Sequence, residues 1–157
     1  IHLKHIERVQ GFVDRAKADG ATIAYGGGVN TDLGTHYFRP TLIVDAKPGS
    51  EILTQEVFGP VLTMQTFDTD AEGLELANGT EFGLAACVVS GSRERAAAFC
   101  KHLVAGTIWV NCFFVRDLGA PFGGSKKSGI GREGGIWSFD FYADVKNTVF
   151  APNGWRD

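Results

Sequence analysis

Three kinds of side chain in this sequence stand where they could do chemistry. Glu56 lies in the run Glu56-Val57-Phe58-Gly59-Pro60-Val61, an acid and an aromatic just ahead of a Gly-Pro turn. A carboxylate held at such a turn can accept two hydrogen bonds from vicinal hydroxyls, such as those of a ribose, each contributing about 1.5–3 kcal/mol. The bland alternative is a solvated acid on a surface turn, and spacing alone does not separate the two. Arg116 follows Asn111-Cys112-Phe113-Phe114-Val115, a guanidinium among aromatic and aliphatic neighbours. In an apolar pocket it needs a planar anion, either a ligand carboxylate or a partner within the chain, Asp117 included. The third kind is the thiol. Cys87 and Cys100 sit in apolar stretches and read as core, whereas Cys112 closes a predicted strand and is better placed for a loop site. No local feature argues for an activated thiolate at Cys112, so no residue of the chain is assigned as a catalytic nucleophile.

Other patterns carry less. Gly129-Ile130-Gly131-Arg132-Glu133-Gly134 fits G-x-G-x-x-G, but a dinucleotide loop follows a hydrophobic strand and opens a helix. Here Lys126-Lys127-Ser128 precede it and no acid follows at the expected distance; a glycine-kinked loop is the simpler reading. The stretch from Gly119 departs from a Walker A loop at its seventh position, where Ser125 stands in place of lysine. The histidines (His2, His5, His36, His102) are scattered and the three cysteines lack C-x-x-C spacing, so no metal site is expected.

The elements that must position these residues follow from periodicity. Ile6, Val9, Val13 and Ala16 recur at spacings of 3, 4 and 3 and predict an amphipathic helix over 5–19, closed by Gly20. Residues 21–25 are β-prone, and 37–44 form a second strand candidate that Pro40 makes irregular. Alternation over 61–67 predicts a strand, and Thr69-Asp70-Ala71-Glu72 fits a capping box opening a helix through Ala77. A strand over 84–89, a helix from an N-cap at Ser92 to about His102, and a strand over 106–111 follow. Strand–helix–strand–helix–strand with short links implies parallel strands and right-handed crossovers, hence the α/β class. Residues 139–150 are rich in aromatic and β-branched types, ending at Pro152, and read as a projecting β arm able to pair with another sheet. The expected organisation is one unit over 1–138 and an oligomerisation arm over 139–157.

Composition excludes several classes. With 44% apolar and 21% charged residues the chain is neither disordered nor fibrous. A net charge of −3 gives no electrostatic case for nucleic acid or an anionic membrane, and no apolar run approaches the roughly 20 residues of a spanning helix. The odd cysteine count argues against a disulfide scaffold and makes a reducing cytoplasm the default compartment. A start at Ile1 without methionine suggests a fragment or a processed chain.

The run Glu56 to Val61, the run Gly106-Thr107-Ile108-Trp109-Val110-Asn111, and the run Pro121-Phe122-Gly123-Gly124-Ser125-Lys126-Lys127-Ser128-Gly129-Ile130-Gly131-Arg132-Glu133 together resemble the aldehyde dehydrogenase superfamily. They occur in its order and spacing, over nearly the whole chain. The implied fold is a three-layer αβα unit with a mostly parallel sheet, from the C-terminal part of the catalytic domain. The resemblance implies that Glu56 hydrogen-bonds the nicotinamide ribose of NAD (NADP is left open), that Phe58 packs near the nicotinamide, and that Arg8 contacts the adenosine half. It implies that Phe122 lines the substrate tunnel. Arg116, followed by Asp117-Leu118, is similar to the arginine of hydroxymuconic and aminomuconic semialdehyde dehydrogenases, which pairs with the substrate carboxylate; Gly119 departs from relatives that carry a second arginine there. The small-molecule partner would be a carboxylate-bearing aldehyde, and the family assembles as oligomers through its C-terminal strand. The nucleophilic cysteine and the general-base glutamate are expected upstream of Ile1, so the chain alone is expected to be inactive. Two other functions stay open, a stand-alone nucleotide-binding module using the 129–134 loop and a non-catalytic assembly module.

Overall fold

A computed structural model describes residues 2–152, and the chain divides into two compact units. The first contains the residues up to Glu81 together with Ala97–Leu103; the second contains Phe82–Ala96 and the residues from Val104 onward.

In the first unit, helix α1 (Leu3–Ala18) forms where the apolar period predicts it. Its Ile6, Val9, Phe12, Val13 and Ala16 are all buried, and the His2 side chain caps it by accepting from the Lys4 N–H. Strands β1 (Thr22–Tyr25), β2 (Thr41–Val44) and β3 (Val61–Thr63) make a small sheet in that order. Pairing is antiparallel for β1–β2 and parallel for β2–β3. The reason lies in the connections. Residues 26–40 fold back on themselves through the antiparallel bridge Val29–Phe38 and act as a long hairpin, whereas the link from β2 to β3 carries helix α2 (Glu51–Thr54) and is long enough to return the chain parallel. Phe12, Val13, Ala16, Ala21, Ile43 and Ile52 form the core, with Ile43 fully enclosed. Each large side chain buried there contributes about 1.5–3 kcal/mol. Helix α3 (Asp70–Asn78) opens as expected: Thr69 Oγ1 accepts from the Glu72 N–H at 3.2 Å, while the Glu72 carboxylate accepts from the Asp68 N–H at 2.9 Å.

In the second unit, strands β5 (Ala85–Val88) and β6 (Thr107–Val110) pair in parallel; the chain between them carries helix α4 (Arg93–His102), which is counted with the first unit from Ala97 on and whose first turn is capped by Ser92 Oγ accepting from the Arg95 N–H. The short β4 (Phe82–Gly83) pairs antiparallel with β7 (Ser125–Lys126).

Two expectations change. The α/β class holds, but among the described residues the strands form three small sheets of mixed direction and not one mostly parallel sheet. The predicted β arm over 139–150 is not a strand either. Residues up to Tyr142 continue helix α5 (Trp137–Tyr142), and the described residues beyond it, to Pro152, hold no strand. An extended segment needs a neighbour to satisfy its N–H and C=O groups. At the end of α5 the backbone satisfies itself locally, the Ala143 N–H donating to the Phe139 carbonyl at 3.0 Å. The end of the expected arm, residues 153–157, lies outside the described residues.

Candidate functional site

The first unit brings Arg8, Glu56 and Phe58 together. Helix α1 meets the segment 56–59 through His5, Arg8 and Val9, which share a face at i, i+3 and i+4. Arg8 Nη2 donates to the Glu56 carbonyl at 2.7 Å, and Nη1 donates to the next carbonyl, that of Val57. His5 Nε2 donates to the Phe58 carbonyl at 2.5 Å. Gly59 lies so close to the helix that a Cβ there would sit 2.7 Å from Val9 Cγ2. Behind this contact, the guanidinium groups of Arg8 and Arg15 lie 4.8 and 5.0 Å from the Phe12 ring centroid. Arg15 also forks onto Glu51 at the head of α2, at 2.6 and 3.2 Å, and this hydrogen bond raises the Arg15 pKa above its ordinary value.

The segment so held has an unusual backbone. Phe58 has φ of 56°, a left-handed conformation costing about 1–3 kcal/mol for a residue with a side chain. Its ring is 73% exposed and stands edge-on to His5, with centroids 6.0 Å apart. The Glu56 carboxylate makes no hydrogen bond or ion pair among the described residues. It borders a groove of about 340 Å³ lined also by Ile52, Phe58, Gly59, Leu62 and Thr63. An acceptor-only carboxylate beside an exposed aromatic face, on a groove, fits a ligand carrying a diol and a planar ring.

The second unit brings Arg116 and Phe122 together. The Arg116 guanidinium carbon lies 4.6 Å from the Phe122 ring centroid, and its Nη2 lies 3.9 Å from Glu133 Oε1. Phe122 and Glu133 oppose each other in an antiparallel bridge, exchanging N–H to C=O bonds of 2.7 and 2.8 Å. Asp117, weighed as the internal partner, instead accepts from the Gly119 N–H at 2.9 Å and closes its own turn. Glu133 is thus the carboxylate that faces Arg116, and nothing in the spacing pointed to it. The Arg116 side chain is 38% exposed, which leaves room for a second anion.

The loop bearing Arg116 is tied down from β6. Trp109, buried, donates Nε1–H to the Val115 carbonyl at 2.9 Å and packs edge-on to Phe113. Asn111, at φ 51°, accepts from the Ser90 N–H and donates to the Ser90 carbonyl, both at 2.8 Å. Its side chain thereby continues the β5–β6 ladder past the strand end.

The thiols and glycines resolve differently from one another. Cys87 is exposed, not core: alternation along β5 turns it outward, and its thiol donates to the Cys112 carbonyl at 3.2 Å. Cys112 is exposed and Cys100 is half-buried. The 129–134 loop does not open a helix, since α5 begins three residues later. Arg132 Nη1 closes the loop from inside, donating to the Gly124 and Gly131 carbonyls at 2.5 and 2.9 Å. Gly134, at φ +96°, would place a Cβ 2.3 Å from the Ala120 carbonyl oxygen. These glycines serve backbone packing. Among the described residues there is no cluster of three or more metal-ligating side chains, and no helix is long and apolar enough to cross a membrane.

Comparison with known proteins bears on both clusters. The aldehyde dehydrogenase family profile matches residues 1–148. Aminoaldehyde dehydrogenase 2 of Zea mays is 42% identical over 95% of this chain and 30% of its own length. The 2-hydroxymuconic semialdehyde dehydrogenase of Pseudomonas sp. (strain CF600) is 42% identical over 94% of this chain and 31% of its own. The solved structure of a mutant indole-3-acetaldehyde dehydrogenase of P. syringae, in complex with NAD+ and IAA, superposes with a TM-score of 0.86 at 36% identity, covering 92% of this chain and 30% of that one. The chain therefore spans about a third or less of the length of the relatives it matches. With the profile running almost end to end over the segments that carry Glu56 and Arg116, the chain belongs to the aldehyde dehydrogenase family.

Proposed function

We propose that this chain supplies the C-terminal portion of a cytoplasmic, NAD-dependent aldehyde dehydrogenase that oxidises a carboxylate-bearing semialdehyde to the acid. The observation that carries the substrate class is Arg116, backed by the Phe122 ring at 4.6 Å and partly open to solvent. A guanidinium stacked on an aromatic keeps its planar fork oriented, and its remaining edge suits a carboxylate. Neutral aldehydes offer no charge to that open edge, leaving Arg116 with its Glu133 contact at 3.9 Å and gaining nothing from it. The relative acting on 2-hydroxymuconic semialdehyde supports this choice. The maize aminoaldehyde dehydrogenase, equally identical, names the competing substrate class.

On the cofactor side, Glu56 accepts from the two ribose hydroxyls, Phe58 packs against the nicotinamide, and Arg8 serves the same side through the loop that bears them. NAD, when bound, supplies the hydride acceptor. Arg116 orients the substrate by its distant carboxylate, and Phe122 forms part of the tunnel wall. The nucleophilic thiol and the general base belong to the remainder of the enzyme: this chain spans 31% of the length of the 2-hydroxymuconic semialdehyde relative, which leaves ample further chain to carry them. Assembly into a homo-oligomer through the C-terminal segment is part of the same proposal.

The test is a substrate panel on the full-length enzyme: one aldehyde with a carboxylate, one neutral and one bearing an ammonium group. Arg116→Ala should lower kcat/KM for the carboxylate substrate by about 10- to 100-fold, the equivalent of one charged hydrogen-bonded pair, and leave the neutral one within a few-fold. A wild-type preference for the ammonium substrate would overturn the proposed class.

A further inference from the structure

Arg8 is expected to contact the adenosine half of the cofactor, yet both of its terminal nitrogens donate to successive backbone carbonyls, those of Glu56 and Val57. His5 takes the third carbonyl in the row, that of Phe58, and Val9 takes Gly59 by close packing. We infer that His5 and Arg8 are positioning residues, which set the nicotinamide-ribose grip by clamping the backbone of the Glu-Phe segment. The inference rests on the proposed role of Glu56.

Three observations give it weight beyond general stabilisation. The clamp is consecutive: four residues in a row, 56 to 59, are each met by a side chain of α1. It is chemically specific, because two adjacent carbonyls require two donors in a fixed plane, which a guanidinium offers and an ammonium does not. It acts where the backbone most needs holding, since Phe58 sits at φ 56° and its exposed ring has little packing of its own to keep it there. Arg8 itself is exposed, and the core residue it stacks on, Phe12, does not line the groove. A purely fold-stabilising role would therefore predict little effect on the groove. A positioning role predicts that Glu56 and Phe58 move together when Arg8 is shortened.

Two measurements on Arg8→Lys test it. In the 157-residue chain, NMR carbonyl-carbon shifts of Glu56 and Val57 should move, and the φ-dependent coupling of Phe58 should leave its left-handed value, while Ile43 in β2 stays unchanged. Unmoved signals at Glu56–Phe58 would overturn the clamp. In the full-length enzyme, Arg8→Lys should weaken both NAD and nicotinamide mononucleotide about tenfold, and adding it to Glu56→Gln should cost nothing further, because two changes acting through one group are not additive. Weakening of NAD with mononucleotide binding intact would return Arg8 to the adenosine half, and full additivity would likewise sink the inference. If Glu56→Gln alone leaves NAD binding unchanged, the role of Glu56 fails, and the NMR result still decides whether the clamp exists.

Discussion

At the residue scale, the chemistry sits on side chains the sequence made conspicuous, and their orientation depends on side chains it did not. Glu56 and Arg116 stand out because each is a charge in an apolar run. Their holders do not: His5 reads as a stray histidine, Glu133 as part of a glycine motif, and Gly59 as half of a turn. Only the helical spacing of His5, Arg8 and Val9 was a signal, and it was masked by the core pattern that shares Val9. Gly59 offers the sharpest test. A methyl group there would meet Val9 Cγ2 at 2.7 Å, whereas one on Gly28 would meet only the end of Gln10, at 3.6 Å. Val9 is β-branched and 1% exposed, so it cannot rotate away. Gly59→Ala should destabilise the chain by about 1–3 kcal/mol in urea unfolding, with Gly28→Ala near neutral. Combining Gly59→Ala with Val9→Ala should cost less than the sum of the two; simple additivity would remove the clash as the cause.

At the element scale, helices were legible because an apolar stripe of period 3.6 is local information, and α1, α3 and α4 form close to where caps and spacing put them. The parallel pairing of β5 with β6 across α4 was legible from the strand–helix–strand order, but the other sheet partners were not, because direction depends on connections that fold on themselves. The 26–40 hairpin turned β1 antiparallel, and the start of the 139–150 stretch is helical, in α5, with no strand among the described residues after it. The loop bearing Arg116 depends on an element end in the same way. Asn111 combines a left-handed backbone with two hydrogen bonds to Ser90. Asn111→Ala forfeits both, and Asn111→Gly forfeits only the hydrogen bonds. Expected losses are about 2–4 kcal/mol for alanine, two bonds plus the backbone penalty, and roughly half that for glycine. Equal losses for the two variants in thermal unfolding would mean that the φ of Asn111 contributes nothing.

At the scale of the whole molecule, the distribution of apolar surface matters most. In the first unit six residues from α1, β2, α2 and the turn after α1 close a core. In the second, Ala96 and Trp109 are the only buried apolar side chains among the described residues, while Phe113, Phe114, Val115, Leu118, Ile136 and Phe139 are each at least 60% exposed. Exposed apolar surface of this extent is characteristic of a face that meets other protein, in keeping with a chain that matches about 30% of its relatives' length. Two consequences follow for the isolated 157-residue chain. Amide exchange should be slow around Val9 and Ile43 and fast throughout β5 and β6, because little buried area protects the second unit. Sedimentation at micromolar concentration should reveal self-association, and removing residues 143–157 should shift it to a smaller species if that segment pairs edge to edge between copies. Association unaltered by the deletion would assign it to the apolar face around Phe113–Leu118 and withdraw the arm from the proposed assembly. A strictly monomeric chain with slow exchange in both units would contradict the proposal that further protein completes it.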